Sequence, residues 1–92
     1  MRIIYSRNAV DDLDRLRQFV AHHDTQAANK IANRLCDAIN RLTEFPQMGK
    51  NVSLHGNDIS LRDLVTGKYI IRYATIGKEL HILRIWHGKE DL

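Results

Sequence analysis

One cysteine, one proline and one tryptophan stand among 92 residues, and each scarcity narrows what the chain can be. With Cys36 alone, no intramolecular disulfide can form and no thiolate pair is available for zinc or redox work. A reducing cytoplasm is the expected compartment, and Cys36, beside Leu35 in a helical stretch, reads as a small buried or half-buried side chain. No stretch approaches the roughly 20 apolar residues that span a bilayer. The opening "MRIIYSRNAVDDLD" is too short in apolar residues for a signal peptide, so no membrane role is expected. Repeats, low-complexity tracts and linkers are also missing. A chain of this length with 43% hydrophobic residues supports one modest core, hence a single domain over residues 1–92.

What is present is a mild excess of positive charge, +3 overall, unevenly spread. Residues 60–89 hold Arg62, Lys68, Arg72, Lys78, Arg84 and Lys89 against only Asp63 and Glu79, so an acidic partner is sought there. The excess is slight beside a typical DNA-binding footprint, and direct nucleic-acid binding is not expected.

Two periodicities divide the chain. Ser6 can cap a helix in which Ala9, Leu13, Leu16 and Val20 recur at three- and four-residue intervals, with Asp11 and Asp12 near the positive end of its dipole. Asp24 or Thr25 can cap a second helix. Its stripe of Ala28, Ile31, Ala32, Leu35, Ala38, Ile39 and Leu42 is the strongest periodic signal, and Phe45-Pro46 ends it. So short a link makes the two helices an antiparallel hairpin. Residues 47–60 read as a loop with a short turn of structure. "LRDLV", "KYIIRYAT" and "ELHILRIWH" then read as three antiparallel strands joined by tight turns at "TG" and "IGK". With "RIIY" as a first strand, the fold class is α+β in the order β-α-α-β-β-β.

If Thr75 faces Leu80 across the second hairpin, alternation puts Tyr69, Ile71, Tyr73, Leu80, Ile82, Arg84 and Trp86 on the helix-covered face. Trp86 is then core. The free face would carry Lys68, Ile70, Arg72, Ala74, His81, Leu83, Ile85 and His87, an apolar centre ringed by bases that suits an amphipathic acidic peptide. Arg62 and Arg84 would share the helix-covered face and need carboxylates there, which Asp11, Asp12 or Asp14 could supply; both are read as structural ties between sheet and helix.

Several stretches together resemble a known family: "SRNAVDDL" from Ser6 to Leu13, "FPQMG" from Phe45 to Gly49, Arg62-Asp63-Leu64, "YIIRY" from Tyr69 to Tyr73, and "ILRIWHGKED" from Ile82 to Asp91. In order and spacing over nearly the whole chain, they resemble the ParE branch of the RelE/ParE toxins of bacterial toxin-antitoxin modules. The resemblance implies a strand, an antiparallel helix pair and a C-terminal antiparallel sheet. It also implies a cognate antitoxin with an amphipathic C-terminal segment. RelE-like members cleave messenger RNA on the ribosome with strand lysines and arginines and a C-terminal Tyr or His. The matching positions here fall near Leu61 and Asp63, at Ile70 and at Glu90, and the terminal Tyr has no counterpart. An acid or an apolar side chain at those places does not stabilise a scissile phosphate. The ParE-like activity, inhibition of DNA gyrase by protein binding, is therefore the expected one.

No catalytic residue, cofactor or metal is expected. His22-His23 are adjacent, and His55, His81 and His87 have no ligand spacing. The surface expected to bind antitoxin or target comprises Lys68, Ile70, Arg72, His81, Leu83, Ile85, His87 and Lys89. Two rivals stand beside this reading. One is a ribosome-dependent endoribonuclease using Arg72, His81, His87 and Lys89, in which substitution of either histidine abolishes toxicity while leaving antitoxin binding nearly intact. The other is a non-toxic relic that retains only antitoxin binding.

Overall fold

The apolar stripe of the second helix organises the packing. In the computed structural model, which describes residues 1–53 and 60–90, Ala28, Leu35, Ala38, Ile39 and Leu42 are buried along α2, Thr25–Glu44. Ala9 and Leu16 of α1, Arg7–His23, close on the same core. Asp24 serves both helices. Its N–H ends α1 on the Val20 carbonyl at 2.8 Å, and its carboxylate accepts from the Gln26 and Ala27 amides to start α2. Ser6 caps α1 by accepting the Ala9 N–H at 3.0 Å. Neither Asp11 nor Asp12 falls in the first turn of α1, so they are not dipole-stabilising acids as the spacing suggested. α2 stops at Glu44 because Phe45, before proline, leaves the helical region at φ −128°.

The sheet has five strands in the order β1-β5-β4-β3-β2, where β1 is Arg2–Tyr5, β2 Lys50–Asn51, β3 Leu61–Thr66, β4 Tyr69–Ile76 and β5 Glu79–His87. The first and last strands lie side by side in parallel, and the other pairings are antiparallel. The two hairpins turn at Gly67 and Gly77, whose φ values of +60° and +59° lie where only glycine sits without strain. Thr75 does face Leu80. β2 is absent from the sequence reading: two residues carry no alternation, and Lys50 and Asn51 pair with Asp63 and Arg62 through backbone alone. The middle of the predicted loop, residues 54–59 and with it His55, lies outside the described residues.

Tyr73, fully buried on β4, explains "FPQMG". Its hydroxyl donates to the Pro46 carbonyl at 2.7 Å and accepts the Gly49 N–H at 2.9 Å, while burial pushes its pKa up. Arg62 fixes the same segment, donating to the Gly49 carbonyl at 2.7 Å and the Gln47 carbonyl at 3.3 Å. Tyr73→Phe leaves a buried amide and a carbonyl unpaired and is expected to cost about 1–3 kcal/mol in denaturant unfolding.

Candidate functional site

The face away from the helices is decided by one irregularity. Opposite Arg72 the register shifts: Tyr73 pairs with Ile82, but Arg72 pairs with Arg84, so Leu83 is an extra residue in β5. A bulge inverts alternation beyond it. Ile85, expected on the free face, is instead fully buried in the core, paired with Ile71. His87, expected there too, pairs with Tyr69 on the helix side, and their rings meet edge-to-face at 5.2 Å. Trp86, expected in the core, crosses to the open face opposite Ile70. Ile70 and Arg72 keep their predicted side because β4 carries no extra residue, and His81 keeps its side because it comes before the bulge in β5; Lys68 stands just before β4, and Leu83 is the extra residue itself.

On that open face Arg72 is fully engaged. Its guanidinium forks onto its cross-strand neighbour Asp63, with Nε at 2.8 Å from Oδ1 and Nη2 at 3.0 Å from Oδ2, and its carbon lies 5.1 Å from the centre of the Trp86 ring. The Asp63 hydrogen bonds raise the Arg72 pKa further above its already high value. His81 is half-buried, opposite Ala74, with Nε2 at 3.2 Å from Glu79 Oε1. Lys68 and the apolar Val65, the latter 68% exposed, project at the turn end of the face.

The bulge is held from the side by α1. β1 pairs with β5 only as far as Ile82, and beyond it the helix supplies partners for the strand's free edge. The Ser6 N–H donates to the Ile82 carbonyl and the Ser6 hydroxyl to the Leu83 carbonyl, at 2.9 and 2.8 Å. Asp12, 2% exposed, accepts the Ile85 N–H at 2.8 Å, Arg84 Nε and Nη2 at 2.8 and 3.0 Å, and Arg15 Nη1 at 2.8 Å. Burial alone would raise the Asp12 pKa; the hydrogen bonds from Arg84, Ile85 and Arg15 outweigh it and hold the carboxyl below its ordinary range. Arg84 therefore meets Asp12, one of the three acids considered, but from a backbone position level with Arg72. Arg62 meets backbone carbonyls of the segment after α2 and none of Asp11, Asp12 or Asp14.

The chain then folds back. Gly88 N–H donates to the Lys68 carbonyl at 2.7 Å, and the Glu90 carboxylate accepts the His87 N–H at 2.9 Å and pairs with Arg15 at 3.0 Å. Lys89 N–H donates to His87 Nδ1 at 3.1 Å, so that ring nitrogen is an acceptor within the turn. Burial, with the Glu90 charge behind it, raises the Tyr69 pKa. A cleft of about 410 Å³ lies between this turn and α1, lined by Leu16, Phe19, Tyr69 and His87.

The set required by the nuclease rival is thus not gathered. Arg72 and His81 lie on the open face, His87 on the opposite one, and Lys89 in the exposed turn. Of the four positions matched above to the nuclease pattern, Asp63 and Glu90 are themselves committed to Arg72 and Arg15. Among the described residues, no three His, Cys, Asp or Glu side chains come together as metal ligands, and no helix is long and apolar enough to cross a membrane. Cys36 is exposed, against expectation, because it lies beyond the edge of the α2 stripe. Sequence reading missed Asp63, Trp86 and Glu90 as members of these surfaces; for Asp63 and Glu90 the available signal was an acid at a position of the nuclease pattern, and for Trp86 there was none.

Comparison with known proteins agrees with this architecture. Residues 3–92 match the family described as the ParE toxin of type II toxin-antitoxin system, parDE. Toxin RelE1 of Caulobacter vibrioides is 34% identical over 89 residues, covering 97% of this chain and 95% of the relative. Toxin ParE3 of the same organism is 30% identical over 94 residues, covering 99% and 90%. A chain of the chromosomal ParDE TA system from P. aeruginosa shares the fold with a TM-score of 0.70 at 22% identity, covering 95% of each chain.

Proposed function

Because this chain belongs to the ParE toxin family of type II toxin-antitoxin systems, we propose that it inhibits DNA gyrase by binding the enzyme, cuts no nucleic acid, and is neutralised in the cytoplasm by its antitoxin. The names of its relatives fall in both branches of the superfamily, so the choice between activities rests on the side chains. The observation that carries it is the Asp63-Arg72 fork. Phosphodiester cleavage needs positive charge left free to meet the developing charge on phosphate. Here the open-face arginine is already neutralised by a carboxylate, and of the two histidines in the rival set His81 is hydrogen-bonded to Glu79 while His87 faces the other side of the sheet.

A surface of this kind suits protein contact. Lys68, Ile70, Arg72, His81 and Leu83 are read as a mixed strip with apolar Ile70 and Leu83 and the exposed cation Lys68 at its end, matched to an acidic, amphipathic antitoxin segment that folds as it binds. Lys89 adds a cation at the adjoining turn. Purified chain added to gyrase and relaxed plasmid is expected to stop supercoiling, and prior addition of the antitoxin to restore it. Full supercoiling at a large molar excess of the chain would overturn the proposal.

A further inference from the structure

The bulge in β5 does more than repair a register. It takes the protein's sole tryptophan out of the core and displays it, half-buried, on the open face, backed by Ile70 and by an arginine that cannot swing away. An indole beside a guanidinium held rigid by Asp63 has the composition of an interface hot spot, and its fixed geometry removes much of the ordering cost of binding. The surroundings select the partner's chemistry. Val65 is 68% exposed on the same face and the exposed Lys68 borders it, so the matching segment carries an apolar side chain with a carboxylate beside it.

We propose that Trp86 is the anchor of the contact with the acidic antitoxin segment, and that Asp12, on α1 at the edge of β5, is its positioning residue. The claim rests on the reading that the antitoxin occupies the open face. Asp12 touches neither Trp86 nor that face. It binds the Ile85 N–H and the Arg84 guanidinium, the two groups between the extra residue Leu83 and Trp86. Without that clamp β5 can slip by one residue, which sends Trp86 back toward the helices and Ile85 out.

The test measures the affinity of the full chain for the antitoxin of its own module, alongside the emission of the single tryptophan. Trp86→Ala is expected to weaken binding roughly 30-fold or more, the loss typical of a hot-spot truncation. Trp86→Phe is expected to recover part of that loss, and the far-ultraviolet circular dichroism of both to match wild type. Asp12→Asn is expected to shift Trp86 emission to the blue, reduce its quenching by iodide and weaken antitoxin binding, a combination that mere loss of stability does not produce in a folded protein. Should Asp12→Asn fail to fold, Arg84→Gln is read in the same way. Trp86→Ala binding within about threefold of wild type would overturn the anchor. Unchanged emission and quenching in the folded clamp variants would overturn the positioning role. Val65→Asp separates the two levels: if it weakens binding while Trp86→Ala does not, the face is right and the anchor wrong, and if neither does, the open-face reading itself fails.

Discussion

Asp12→Ala is expected to lose about 3 kcal/mol of folding stability, the lower end of the range for breaking a buried ion pair. The lower end applies because Arg84 and Arg15, at 37% and 41% side-chain exposure, can recover water once the carboxylate has gone. The Ile85 amide cannot, since it lies in a buried stretch and donates to Asp12 Oδ2. For a domain whose total stability is of the order of 5–15 kcal/mol, that is a large share, and urea unfolding would read it directly. The pH dependence has a definite sign. The Asp12 carboxyl is held below its unfolded value, so its contribution is complete above the ordinary carboxylate range and is lost as pH falls through that range toward the folded pKa. Wild type should therefore lose stability on acidification, and its advantage over Asp12→Ala should shrink below about pH 4.

Gly49→Ala is expected to destabilise the fold by about 2–3 kcal/mol, as overpacking of a filled interior does. A Cβ there would lie 2.7 Å from the Tyr73 hydroxyl and 2.9 Å from the Asp63 carbonyl oxygen. The first of these belongs to a fully buried ring and the second to backbone, so neither yields cheaply. The substitution also disturbs the segment that Tyr73 and Arg62 hold against the sheet. Thermal unfolding should show a fall of several degrees or more for a domain of this size, and Gly49→Ala combined with Tyr73→Phe should lose less than the sum of the two, because the hydroxyl is the nearest atom in conflict.

These two residues also mark what could and could not be read from the chain alone. Helix boundaries were legible because they are written in local chemistry: Ser6 and Asp24 as caps, Phe45-Pro46 as a stop, and a stripe from Ala28 to Leu42 at helical spacing. The hairpin register was legible because Gly67 and Gly77 fix the turns. The bulge was not. "ILRIW" is apolar in both parities, with Ile82 and Trp86 on one and Leu83 and Ile85 on the other, so alternation chose no side, and neither glycine nor proline marks the extra residue. The group that holds the strand beside it, the Asp12 carboxylate on the Ile85 N–H, lies on another element more than 70 residues away in the chain. Arg62 was placed on the correct face but given the wrong partner, because backbone carbonyls leave no trace in a sequence. The proposed binding surface was half legible for the same reason: Ile70 and Arg72 lie on the regular strand β4 and His81 comes before the bulge in β5, whereas Ile85, Trp86 and His87 follow it.

The proposed gyrase inhibition follows from an open-face arginine already closed by Asp63. One side-by-side titration addresses this directly: the purified chain is added in equal amounts to gyrase with relaxed plasmid and to ribosomes translating a defined message, and supercoiled plasmid and full-length message are measured at each step. Supercoiling that fails near the gyrase concentration while the message stays intact is the predicted result. A message cut at discrete sites with supercoiling untouched would contradict it.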